Sequence, residues 1–155
     1  MTVTAVRTDP GARTLLIEAE FEAAVERVWR LWSEPQRLAR WWGPPEHAFT
    51  VTAHDLRPGG EVAFFVTSPA GATIHGSWRV VAVEPPRHLG FVLRGPTIPD
   101  VEVEVEIAAQ GDGTRMTTSM SFPTGAAMEE LLAIGFDRGM TTAVGQADRA
   151  LRDPA

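Results

Sequence analysis

Apolar and polar residues alternate along most of the chain. From Thr14 to Phe21 the sequence TLLIEAEF sets Leu15, Ile17, Ala19 and Phe21 on one side and Glu18 and Glu20 on the other. That two-residue period predicts a strand with one wet face. It returns over Phe49 to Asp55, Glu61 to Thr67, Thr73 to Glu84, Arg87 to Arg94, Val101 to Ile107 and Thr114 to Phe122. It is sharpest in VEVEVEI, where Val101, Val103, Val105 and Ile107 point inward and Glu102, Glu104 and Glu106 outward. Glutamates at that spacing form one solvated row, not a metal or acid–base cluster. Turn-forming residues separate the strands: Pro58-Gly59-Gly60, Ser68-Pro69-Ala70-Gly71, Pro85-Pro86 and the hairpin Gly111-Asp112-Gly113.

Two stretches carry a helical period instead. In VERVWRLWSEPQRLARWWGPP, residues 25–45, Val25, Val28, Trp29 and Trp32 form one apolar stripe. Glu26, Arg27 and Arg30 take the solvated side. Ser33 and Pro35 predict a break and a second short helix, with Leu38, Trp41 and Trp42 inward and Gly43-Pro44-Pro45 ending it. Four of the five tryptophans lie here. They predict a helical clamp over one end of a wide sheet, with direct ligand contact by Trp41 or Trp42 as the rival reading. After Pro123 a helix is predicted from the cap Thr124 to about Leu151, with Leu132, Phe136, Met140, Val144 or Ala143, and Ala147 along one stripe. Gly135, Gly139 and Gly145 fall within it, where glycine allows close approach of a sheet or leaves room for a guest. Residues 1–13 hold only the turn Asp9-Pro10-Gly11 and are expected to be a loose terminus.

The order of elements predicts a single α+β domain over residues 14–151, a curved antiparallel sheet wrapped around the C-terminal helix. At 155 residues, with 44% hydrophobic and 22% charged residues, the chain is long enough for a core without staples. It has no cysteine, which excludes disulfides, thiolate metal sites and a cysteine nucleophile. No apolar run reaches membrane-spanning length and no signal-peptide pattern opens the sequence, so no membrane contact and a cytoplasmic location are expected. A net charge of −6 argues against a nucleic-acid partner.

Catalytic signals are sparse. His47, His54, His75 and His88 are scattered without metal-ligand spacing, so no metal or other cofactor is expected. Ser77 lacks a nucleophile motif. Asp55 and Arg57 beside the Gly59-Gly60 turn read as a local polar lock. His75, Ser77 and Arg79 alternate with Ile74, Trp78 and Val80. If Val81 and Val83 set the register, the polar trio faces inward, and a buried Arg79 then needs an anionic partner. If Ile74, Trp78 and Val80 set it, the trio is the wet face. A β-bulge lets each hold in one half of the strand.

Four motifs in order, VWRLWSEPQRLARWWGPP, HDLRPGG (54–60), HGSWRVVAVEPPRHL (75–89) and the stretch from Gly113 to Leu151, resemble one family. It is the heat-shock-protein-90 ATPase activator-like branch of the START and birch-pollen-allergen (SRPBCC) superfamily. The resemblance covers almost all of Thr14 to Leu151. Departures are Ala23-Ala24 where relatives often carry Ala-Pro, Ala19 where they often carry Arg, and a short segment between Arg94 and Val101. The resemblance implies a helix-grip fold with an internal cavity for apolar small molecules. Cavity candidates are Trp41, Phe49, Phe64, His75, Ser77, Arg79, Phe91, Met116, Met120, Leu132, Phe136 and Met140.

The expected function is binding of an apolar or aromatic small molecule, with a homodimer as one assembly the sequence leaves open. One alternative is a cyclase- or hydrolase-type enzyme using His75 or Asp55 in that cavity. The other is a chaperone-activating interaction module, although no room for a separate chaperone-binding domain exists in 155 residues. The strand faces are testable by urea unfolding. Val103→Glu buries a charge and is expected to destabilise the fold by several kcal/mol, whereas Glu104→Val is expected to change stability little.

Overall fold

The computed structural model describes residues 3–43, 46–96 and 98–152. The elements run β1 (Val3–Asp9), β2 (Thr14–Phe21), α1 (Val25–Ser33), α2 (Pro35–Leu38), β3 (Ala48–His54) and β4 (Glu61–Thr67). They continue with β5 (Thr73–Glu84), β6 (His88–Gly95), β7 (Ile98–Gln110), β8 (Gly113–Ser121), α3 (Gly125–Ala133) and α4 (Phe136–Arg152). Among the described residues the strands form one eight-stranded sheet in the order β1-β2-β8-β7-β6-β5-β4-β3. Every neighbouring pair is antiparallel. The sheet curves around α4, giving a helix-grip fold.

That order explains the crowding of tryptophans. β2 and β3 lie near opposite flanks of the sheet, so the chain between them must cross its concave face. α1 makes the crossing over β7 and β8, and α2 arrives beside β3. A short helix over a wide trough needs large side chains to reach the sheet. Trp32 sits at the centre, with ring centroids 4.7 Å from Trp41, 5.6 Å from Trp42, 5.7 Å from Trp78 and 6.1 Å from Phe91. Trp78 in turn stacks on Phe91 at 4.1 Å. The Trp32 indole N–H points to Met116 Sδ at 3.3 Å, and that of Trp41 donates to Leu31 O at 2.9 Å. Trp41 and Trp42 lie just past the end of α2, in a turn. The Gly43-Pro44-Pro45 stop falls partly outside the described residues.

Strand faces follow the alternation. On β7 the three valines and Ile107 are buried and Glu102, Glu104 and Glu106 are exposed. The hairpin to β8 closes on Gln110 and Gly113, with Gly111 at φ 59°, a conformation glycine adopts without strain. At β5 the large apolar rings decide the register. Trp78 and Val80 face the core, a bulge follows between Val80 and Ala82, Val81 is left 55% exposed and Val83 packs against the core.

Two sequence expectations are corrected. Residues 3–9 are not loose: they form the edge strand β1, paired with β2 through the Asp9-Pro10-Gly11 turn. Being an edge, β1 buries little, so its sequence needs no strong alternation. The C-terminal helix is not continuous either. Thr124 caps α3 by accepting from Ala127 N at 3.0 Å, and that helix ends at Gly135, whose φ of 87° is the left-handed stop glycine supplies. α4 then packs along α1 and over β1 and β2. A Cβ built at Gly139 or Gly145 would meet nothing within 4 Å, so these glycines do not permit a close approach of the sheet.

Thermal or urea unfolding tests this packing. Trp32→Ala is expected to cost about 3–5 kcal/mol, because a fully buried hub leaves a void. Gly145→Ala, exposed within a helix, is expected to stabilise by about 0.5–1 kcal/mol.

Candidate functional site

The interior of the grip is closely filled. Met116 and Met120 are 0% exposed, so no water-sized void touches either side chain. Trp41 and Phe91 are buried in the aromatic cluster. These four, expected to line an internal cavity, are core residues. His75 and Arg79 are exposed and Ser77 is half-buried, all on the face opposite Trp78. The inward placement of that trio is corrected: Trp78 gains far more from burial than any of the three polar groups.

Room for a guest lies instead at the start of α4. A cleft of about 350 Å³ is lined by Trp42, Gly43, Phe136, Arg138, Gly139, Met140, Thr142 and Ala143. Phe136, Gly139, Met140 and Ala143 recur at i, i+3, i+4 and i+7, so one stripe of the helix makes one wall. Trp42 and Gly43 make the other.

Each wall is held in place by contacts behind it. Gly43 has φ 124°, and a Cβ there would lie 2.9 Å from the Phe49 ring. Phe49 stacks on Phe64 at 4.8 Å, so the Trp42–Gly43 loop rests on two rings. Phe136 meets the edge of Phe122 at 5.8 Å. Further along, Gln146 Nε2 donates to Trp41 O at 2.9 Å and to Gly43 O at 3.0 Å, and Arg27 Nη2 donates to Leu151 O at 2.5 Å. α4 is thus pinned to the loop in its second half. At Gly139 in its first half an added Cβ would meet nothing within 4 Å, so the space between helix and loop stays unfilled there.

Of the sequence candidates, the structure brings Phe136 and Met140 to the cleft and sets Phe49 and Phe64 behind it. Leu132 is half-buried on α3 and outside the cleft lining. Gly43, Arg138, Gly139, Thr142 and Ala143 were missed. The i, i+3, i+4, i+7 stripe from Phe136 was available to find Gly139 and Ala143, had glycine been read as wall instead of packing surface. The Asp55–Arg57 lock is present, with Arg57 Nε donating to Asp55 Oδ2 at 2.9 Å, remote from this cleft. A second depression of about 450 Å³ lies at the far end of α4, walled by Glu20, Glu22, Arg27, Gln110, Asp148 and Arg152 among others. Its charged lining suits water better than an apolar guest.

The outer face carries a separate cluster no sequence spacing reveals. Strand pairing sets Glu84 and Glu106 on either side of His88, and Glu104 across Gly90. His88 Nε2 is hydrogen-bonded to Glu104, and its Nδ1 lies 3.3 Å from Glu84. Side-chain ligand atoms of His88, Glu104 and Glu106 lie within 4.8 Å of one another. The Glu104 hydrogen bond raises the His88 pKa above its ordinary 6.5; burial opposes this, and the charges of Glu104, Glu106 and Glu84 add to it.

A family model described as "Activator of Hsp90 ATPase homolog 1-like protein" matches residues 22–151. The chain belongs to that family. Among solved structures, this Hsp90-ATPase-activator-like chain is 34% identical to a crystal structure from Mycobacterium smegmatis, with TM-score 0.87 over 99% of this chain and 98% of that one. It is 33% identical to a solution structure from Arthrobacter aurescens, with TM-score 0.94 over 99% and 94% of the two chains. An AHSA1-like protein from Aeromonas hydrophila, at 24% identity and TM-score 0.71 over 92% and 96%, shares the fold. No curated protein matches the chain. Among the described residues no helix is long and apolar enough to cross a membrane.

The raised pKa of His88 carries a pH dependence. Folding favours the protonated imidazole, so its stabilisation is complete below pH 6.5 and is lost as pH rises through the raised value. The urea midpoint of the wild type is expected to fall across that interval, and His88→Gln is expected to lack this component of the decline.

Proposed function

We propose that this family member binds a small apolar or aromatic molecule in the cleft between the first half of α4 and the Trp42–Gly43 loop. The reading rests on one observation: a concave apolar surface persists at the edge of a core that is otherwise filled. Pockets that hold small molecules are mostly apolar clefts of roughly 300–1,000 Å³, and this one falls in that range. Met140 and Phe136 supply an adaptable wall, since methionine fits guests of irregular shape.

Two other readings have less support. The lining holds no histidine, carboxylate or cysteine, so acid–base or thiol chemistry has no residue to act through. Exposed large apolar residues, Val6, Ile74, Val81 and Ile134, are spread over β1, β5 and the α3–α4 junction. They do not join one element into a docking face for a protein partner.

Titration with phenylnaphthylamine, a neutral dye that brightens in apolar surroundings, tests the proposal. Saturable binding to the folded wild type is expected. Gly139→Trp is expected to weaken it about ten-fold or more by filling the cleft, with the unfolding temperature nearly unchanged, because a side chain there meets open space. No saturable binding to the folded wild type would overturn the reading.

A further inference from the structure

We infer that the molecule held in the α4 cleft is an amphipathic anion: an apolar or aromatic body ending in a carboxylate or comparable oxyanion. The inference rests on the ligand-binding reading and adds to it the charge at the mouth of the cleft.

Arg138 and Thr142, one helical turn apart, line the outer edge beside the apolar stripe. The Arg138 guanidinium lies back over the start of α4. A Cβ at Gly135 would sit 2.9 Å from its Nη2 and 3.4 Å from its Cζ. The missing side chain at Gly135 is therefore what lets the guanidinium occupy this place. Arg30, Arg37, Arg57, Arg94 and Arg152 each face a carboxylate. Among the described residues Arg138, like Arg7, Arg79, Arg87 and Arg149, has no ion pair and its guanidinium donates no hydrogen bond; of these five Arg138 is the one that lines the cleft. The positions one turn away on α4 or before it, Ile134, Gly135, Thr141 and Thr142, carry no acid. Asp137, the neighbouring acid, does not line the cleft.

The other polar groups nearby are already engaged. Both contacts of the Gln146 amide go to Trp41 O and Gly43 O. The Thr142 hydroxyl donates to Arg138 O at 2.9 Å, which leaves it only as an acceptor. What the mouth offers a ligand is thus a free guanidinium, a planar fork of N–H donors matched to an oxyanion. This sits on a chain whose net charge is −6, so the local charge is opposite to that of the molecule as a whole. A neutral guest gains only the apolar contacts. An anionic one gains a charge-assisted hydrogen bond in addition.

The test compares anilinonaphthalene sulfonate with its sulfonate-free parent, phenylnaphthylamine, on folded wild type and Arg138→Gln. The substitution is expected to weaken the sulfonate dye about ten-fold and the neutral dye less than about two-fold. Added salt is expected to weaken only the sulfonate dye, and less so in the variant. A urea midpoint for Arg138→Gln equal to wild type excludes a folding effect. If both dyes bind and Arg138→Gln affects them alike, or affects neither, the anion inference falls while the cleft stands. If neither dye binds the folded wild type, the cleft reading fails and this inference fails with it.

Discussion

Trp32 stands where the demands of the fold meet. An eight-stranded curved sheet whose second and third strands lie near opposite flanks leaves a trough that the intervening chain must span and fill. Aromatic side chains, at roughly 150–250 Å² buried apiece, are the means available to two short helices. The cluster of Trp32, Trp41, Trp42, Trp78 and Phe91 joins the crossing helices to β5 and β6, and the Trp32–Met116 contact extends it to β8. Trp78 Nε1 is buried with no hydrogen-bond partner, which shows that apolar packing has prevailed over polar satisfaction at that position. Because this centre is filled, the apolar cleft lies at its margin, between the first half of α4 and the Trp42–Gly43 loop.

Most of the architecture was legible in the sequence for a simple reason. Where one face of an antiparallel sheet is buried and the other wet, a period of two is imposed on the strand. β2, β7 and β8 show it plainly, whereas Leu89 to Leu93 of β6 are buried in succession. An edge strand is under no such demand, and VTAVRTD therefore carried no readable pattern although it pairs with β2 along its length. The break at Gly135 was illegible for a different reason. A glycine in a helical run reads the same whether it is tolerated within the helix or ends it, and only its left-handed φ distinguishes the two.

The candidate site was less legible than the fold. Met116, Met120, Trp41 and Phe91 look alike in sequence whether they line a void or fill a core, because hydrophobicity reports burial and not packing density. The face of His75, Ser77 and Arg79 hung on a competition that Trp78 settles by size. The cleft itself arises largely from small residues, Gly43, Gly139 and Ala143, which signal nothing individually. Its walls were recognisable only once Gln146 was seen to tie α4 to the loop, fixing how far apart the two surfaces stand.

The pairing of β2 with β8 reaches into the way this chain is made. Thr14 pairs across with Ser121, so β2 waits for β8, the last strand of the sheet to be synthesised, before it gains that neighbour. Contacts this distant in sequence form late and slowly. Meanwhile the Trp29 to Trp42 segment has emerged with its apolar surfaces uncovered, since Trp78, Phe91 and Met116 are still to be synthesised. The residues that make the finished core dense are thus ones a nascent chain carries without their partners, interleaved with the charged side chains of Glu26, Arg27, Arg30, Glu34, Arg37 and Arg40.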